Sequence, residues 1–205
     1  MVRKSCMIIP VLLLLGYLLC GCPKKIPEPV FIERPPSKNP IATLLDAFSP
    51  VESLRAKASI RIDTVRNGQA VHFPSLNGVL LYEKPDRLRV LGYHPLGMGL
   101  FDALYRNGEF YILIPAQKRA YTGEVSQFED LIEKAGPILI STEKVEASQI
   151  PSWIRIDVVE KETQIDLRLK EISTNSRLPE DSFQWDVPEG VGVEPLINLL
   201  KKRLR

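Results

Sequence analysis

Alternation of apolar and polar residues, punctuated by two-residue turns, constrains this chain more than any other feature. Ala56, Ala58, Ile60 and Ile62 alternate with Arg55, Lys57, Ser59 and Arg61. A period of two puts the apolar set on one face of a strand. Asn67-Gly68 follows. Both residue types tolerate positive φ, so this pair closes a hairpin into a second strand from about Gln69. Gly78–Glu83 is a more continuous apolar strand, and Pro85-Asp86 is a turn signal. Arg87, Arg89 and Gly92 alternate with Leu88 and Val90. Phe101–Tyr105 and Glu109–Ile114 flank Asn107-Gly108, the cleanest hairpin signal in the chain. Further strands are expected at Arg119–Thr122, Trp153–Val159 and Gln164–Ile172. Phe183, Trp185 and Val187 predict a last one.

Helical spacing occurs in three places. Ile41, Leu44, Leu45 and Phe48 share one face of a helix over Pro40–Phe48, which Pro50 ends. Phe128, Leu131, Ile132 and Ala135 share a face over Val125–Ala135, with Ser126 and Glu129 as a capping box. Pro195–Leu204 is a terminal helix whose cations, Lys201, Lys202 and Arg203, suit a helix C-terminus. Ile138–Ile150 lacks a clean period and is expected to be a short helix with a loop. Strands joined by short turns imply an antiparallel sheet. Alternation implies one buried face and one wet face. The expected fold class is therefore α+β: a curled antiparallel β-sheet covered on its concave side by helices.

The first 22 residues have a different logic. Arg3 and Lys4 form a positive head, and a 13-residue, mostly apolar run spans Met7–Leu19. A bilayer span needs about 20 apolar residues, so this run is too short to be one. A basic head, a short apolar run and a small exit residue make a secretory signal. Leu19-Cys20-Gly21-Cys22 resembles the lipobox of bacterial lipoproteins, which implies cleavage after residue 21 and acylation of Cys22. Residues 23–40 contain Pro23, Pro27, Pro29, Pro35, Pro36 and Pro40. Proline fixes φ and removes a donor, so an extended tether is expected. The alternative is a strand-like arm packed on the domain through Val30, Phe31 and Ile32. The expected organisation is a signal over 1–21, an acylated Cys and tether over 22–40, and one domain over 41–205.

Composition narrows the function. The chain has 27 Lys+Arg against 25 Asp+Glu, and loss of Arg3 and Lys4 with the signal makes the remainder formally neutral. That disfavours a nucleic-acid partner. Cys6 and Cys20 leave with the signal, so the remaining chain can form no internal disulfide. The two histidines, His72 and His94, belong to no metal or triad spacing. No Gly-x-Ser-x-Gly or His-Glu-x-x-His is present, and Gly97-x-Gly99 lacks the third glycine of a phosphate cradle. An enzyme, a cofactor and a metal centre are not expected.

Arg87-Leu88-Arg89-Val90-Leu91-Gly92-Tyr93-His94-Pro95-Leu96-Gly97 resembles the LolB family of outer-membrane lipoprotein receptors and their LolA-like carrier relatives. Asp186-Val187-Pro188-Glu189-Gly190-Val191 resembles the way those chains close. The resemblance implies an incomplete antiparallel barrel capped by helices, with a cavity for acyl chains of a lipid or lipoprotein. It also implies a lipid-anchored monomer at the outer membrane, facing the periplasm and receiving cargo from a soluble carrier; Pro23 after the acylated Cys fits that location. The Leu of the Pro-Leu-Gly turn assists membrane insertion in that family. Here it is Leu96, with Met98, Leu100 and Phe101 close by. Candidate cavity-wall residues are Leu80, Tyr82, Leu88, Val90, Tyr111, Leu113, Trp153, Ile156, Leu167, Phe183 and Trp185. Acyl-chain binding needs little polar chemistry, because burial stabilises by ~0.8 kcal/mol per methylene. The alternative is an anchored assembly protein that docks onto an envelope complex and holds no ligand.

Overall fold

The computed structural model describes residues 30–33, 39–127, 136–143, 145 and 149–201. The expected signal, Cys22, most of the tether and most of the Val125–Ala135 helix lie outside the described residues. The strands are β1 (Phe31–Glu33), β2 (Ser53–Arg66), β3 (Gln69–His72), β4 (Leu76–Glu83), β5 (Arg87–Tyr93), β6 (Gly99–Arg106), β7 (Glu109–Ile114), β8 (Arg119–Glu124), β9 (Ile138–Glu143), β10 (Trp153–Val158), β11 (Thr163–Thr174) and β12 (Gly192–Pro195). Helix α1 spans Pro40–Phe48 and helix α2 spans Leu196–Lys201.

These strands form one 12-stranded sheet in the order β1-β9-β10-β11-β2-β4-β5-β6-β7-β8-β12, with β3 extending beside β2. The pairing is antiparallel except that β12 joins β8 in parallel. The expected α+β class is therefore corrected. The molecule is mostly strand, its sheet is mixed and open, and its helices are too few to cover a face.

Both Asn-Gly pairs make the expected hairpins. Asn67 and Gly68 have φ of 53° and 74°, and Asn107 and Gly108 have 52° and 79°. These values match the right-handed twist of the flanking strands. Three other expectations fail for identifiable reasons. Ile138–Glu143 is strand β9, because the open edge of β10 needs a partner for its backbone groups. Phe31–Glu33 lies within the expected tether but pairs with β9, as the alternative arm would. Residues 183–187 form no strand.

Residues 175–191 are a strap. β11 lies next to β2, and β12 lies at the far edge beside β8. Six strands, β2 and β4 to β8, separate them, and the chain between packs on the outer face of β4 to β7. Leu178 and Phe183 cover Leu81 and Leu104 there, and Trp185 packs on Tyr111 with ring centroids 5.5 Å apart. Phe183 and Trp185 keep the spacing of a strand, but the segment turns instead: Ser182 N donates to Pro179 O and Gln184 N to Asp181 O, both at 3.0 Å. Its carbonyls, however, are met by side chains. Arg89 Nη1 donates to Ser182 O at 2.8 Å and Gln184 O at 3.2 Å, and Arg106 Nη1 donates to Phe183 O at 2.8 Å. Asp102 holds Arg89 through a fork of 2.9 and 2.6 Å. The outer face is thus covered here, not wet.

The strap depends on Arg89, which is mostly buried along with its carboxylate. Arg89→Met leaves Asp102 without its counter-charge and two strap carbonyls without that donor. The expected loss is about 3 kcal/mol of stability, together with faster proteolysis within 175–188. Urea denaturation and limited digestion check both.

Candidate functional site

The inner face of the sheet carries a partly open pocket of about 180 Å³ with no polar side chain in its lining. Ile60 on β2 and Leu80 on β4 contribute to it, as do Leu88 and Val90 on β5. Phe101 on β6, Ile154 and Ile156 on β10, and Ile165 and Leu167 on β11 complete the sheet side. Leu44 and Phe48 of α1 line its helix side. Five ladder steps separate β10 from β6, or about 24 Å in a flat sheet. Side chains of both strands line one small pocket, so the sheet must curl around it.

Helix α1 is held at its two ends. Asn39 Oδ1 accepts from Ala42 N at 3.0 Å, and Pro40 occupies the first turn, where its missing donor costs nothing. At the other end Phe48 is fully buried and packs on Tyr82 with centroids 5.5 Å apart. Between them, Leu44 and Leu45 are half-buried against the core. Burial pushes the Tyr82 hydroxyl pKa above 10, with the charges of Glu52 and Asp46 adding to the shift, so the ring stays neutral beside the pocket.

Gly78 and Gly92 are direct partners across β4 and β5, and Gly92 is the partner of Phe101 on β6. Two adjacent residues without side chains leave a notch in the inner wall. Phe101 fills it: a Cβ on Gly92 would come within 2.2 Å of the ring. This places Phe101 in the pocket wall and not in the exposed loop expected from the sequence. Leu100 is half-buried in β6.

The loop itself is a stapled turn. Gly97 N donates to His94 O at 2.7 Å, His94 N donates to Met98 O at 2.8 Å, and Leu96 N donates to His94 Nδ1 at 3.3 Å. Gly97 sits at φ +88°, a conformation that favours glycine. These hydrogen bonds fix the turn. Leu96 is 88% exposed and Met98 62%. The turn lies three residues before Phe101, about 10 Å of extended chain from the pocket wall.

Of the expected wall residues, Leu80, Leu88, Val90, Ile156 and Leu167 line the pocket. The others lie elsewhere. Tyr82 is buried in the same core but beside the pocket. Tyr111, Phe183 and Trp185 belong to the packing under the strap, on the outer face. Leu113 shares the outer face of β7 with Tyr111 by parity. Trp153 faces outward, because Ile154 and Ile156 of its strand face in. Ile60, Ile154 and Ile165 were missed, although period two and the choice of Ile156 and Leu167 pointed to them. Leu44 and Phe48 carried the helical signal without any sign of what they cover. Among the described residues, no group of His, Cys, Asp and Glu is arranged to hold a metal ion, and no helix is long and apolar enough to cross a membrane.

No family model matches the chain, and no curated protein does. Solved structures similar to it include an uncharacterized conserved protein from Thermus thermophilus, with a TM-score of 0.46, 9% identity, and 75% of this chain and 99% of that chain covered. A LolA superfamily protein from Nitrosomonas europaea has a TM-score of 0.42 and 8% identity over 71% of this chain and 98% of that chain. A putative outer membrane lipoprotein-sorting protein domain from Vibrio parahaemolyticus has 0.41 and 8% over 71% and 95%. At such scores the likeness extends to no ligand or partner.

The Gly92 notch generates a prediction. Gly92→Ala must displace the Phe101 ring into the pocket or away from the sheet. The expected cost is about 1–3 kcal/mol, typical of overpacking. Chemical denaturation measures it. The double variant Gly92→Ala/Phe101→Leu should recover part of the loss.

Proposed function

We propose that this protein holds hydrocarbon chains of a lipid or lipoprotein in the pocket beneath α1 and passes them to a bilayer at the Leu96–Met98 turn. The observation that carries this reading is the wholly aliphatic and aromatic lining. A close-packed interior has few voids. An apolar hollow with no polar partner stays dry and accepts apolar ligands; a cavity of about 150 Å³ suffices for benzene. The pocket therefore takes a fragment of roughly six carbons as it stands, worth up to ~5 kcal/mol by methylene burial. A longer chain requires α1 to move.

The stapled turn supports the second half of the reading. Leu96 and Met98 gain nothing from the core and are presented to solvent on a fixed loop. Entry into lipid removes their apolar surface from water. Acylation at Cys22 would tether the domain to the outer membrane on its periplasmic side, where a soluble carrier would deliver cargo.

Two variants test this. Val90→Phe fills the pocket from the β5 side, so affinity for a fluorescent fatty-acid analogue should fall tenfold or more while thermal stability holds or rises; unchanged affinity contradicts the reading. Leu96→Glu should leave that affinity intact and slow transfer of the bound analogue to phospholipid vesicles by about tenfold. Equal transfer rates would remove the turn from the mechanism.

A further inference from the structure

The outer faces of β10, β11 and β2 form a groove of about 430 Å³ with a surplus of positive charge. Strand register sets its charges in rows. Arg155, Asp166 and Arg61 are side by side across the three strands. Asp166 is buried and already well supplied with donors: Arg155 Nε at 2.8 Å, Gln164 Nε2 at 3.1 Å and Trp153 Nε1 at 3.3 Å. Arg61 pairs with Asp63 at 2.9 Å. Both carboxylates of the groove therefore have cationic partners.

The next row is Trp153, Arg168 and Ser59. The Arg168 guanidinium carbon lies 3.6 Å from the centroid of the Trp153 ring. Stacking occupies the face of a guanidinium and leaves its N–H edge for an acceptor. Phe31 of β1 meets the Trp153 ring edge-on at 5.3 Å, so the shelf beneath Arg168 is braced. One row further, Lys170 is directly opposite Lys57. Like charges in that position oppose folding. Lys57 turns to Glu171 at 2.6 Å. Arg168 and Lys170 have no carboxylate partner among the described residues.

We propose that this groove binds a phosphate-bearing polar ligand, with Arg168 and Lys170 as the primary contacts and Ser59, the cross-strand partner of Arg168, beside them. The arrangement supplies a planar fork beside a point charge, the pair of donors that phosphate recognition uses. Its volume suits a headgroup or a sugar phosphate better than a bare ion. The site is separate from the apolar pocket. Ile60, Ile154 and Leu167 line the pocket, while their neighbours Ser59, Trp153 and Arg168 line the groove, so the two lie on opposite faces of the same strands. A lipid whose chains fill the pocket cannot place its own head in the groove.

The test uses the full chain in an uncharged detergent. Calorimetric titration with glycerol 3-phosphate reports a free phosphate ester. Titration with mixed micelles containing short-chain phosphatidate, against micelles of phosphatidylcholine alone, reports a lipid headgroup. Arg168→Gln/Lys170→Gln should weaken either interaction tenfold or more, and Lys170→Gln alone should weaken it by less. Both positions are exposed, so the melting temperature should stay within a few degrees. Loss of glycerol-phosphate binding in the double variant supports a site for soluble esters. Loss confined to phosphatidate micelles supports a site for membrane headgroups. No binding by the unaltered chain in either form, or binding that the double variant retains, overturns the proposal.

Discussion

A row of aliphatic side chains projecting to one side of neighbouring strands is the constraint on which this structure depends. Ile60, Leu80, Leu88, Ile154 and Leu167 must leave water together, and the chain offers little to cover them. Burial of such residues is worth about 1.5–3 kcal/mol each. A flat sheet would need a layer of helices over this face. With a nine-residue helix as the longest described helix, the sheet instead bends until its own strands face one another. The pocket is what the bend leaves over, since aliphatic side chains on a curved wall converge without quite meeting. Gly78 and Gly92 widen the wall and Phe101 refills it.

The same bend explains the outer surface. Curvature opens the outer side, and the chain must in any case travel from β11 to the far edge before β12 can pair. The strap uses that path. It needs no ladder because Arg89 and Arg106 reach its carbonyls, and Arg89 can do so in a mostly buried setting because Asp102 neutralises it. Hydrogen bonding to Asp102 raises the Arg89 pKa and outweighs the burial that disfavours its charge. Where no strap runs, over β10, β11 and β2, the outer face stays open and carries charge.

Local signals were legible in the sequence. Both Asn-Gly hairpins, the helix at Pro40–Phe48 and most strands follow from turn chemistry and period two. β9 was obscured because Ile138–Glu143 does not alternate cleanly, and β12 because four residues between Gly190 and Pro195 carry almost no pattern. The helix-covered α+β expectation failed because three helical segments say nothing about how much surface they cover. The wall was half legible. Parity along β10 sets Trp153 on the face opposite Ile156, a signal present in the sequence. The groove was illegible, since β2 and β11 are far apart in sequence and nothing local announces their pairing.

The central claim is that the hollow under α1 receives a hydrocarbon chain. Native mass spectrometry of the protein extracted from membranes, before and after organic-solvent treatment, tests it most directly. The account predicts a non-covalent adduct of lipid mass that solvent removes, beyond any acyl mass attached at Cys22. A single bare mass that solvent treatment leaves unchanged, from protein never exposed to stripping conditions, would contradict it.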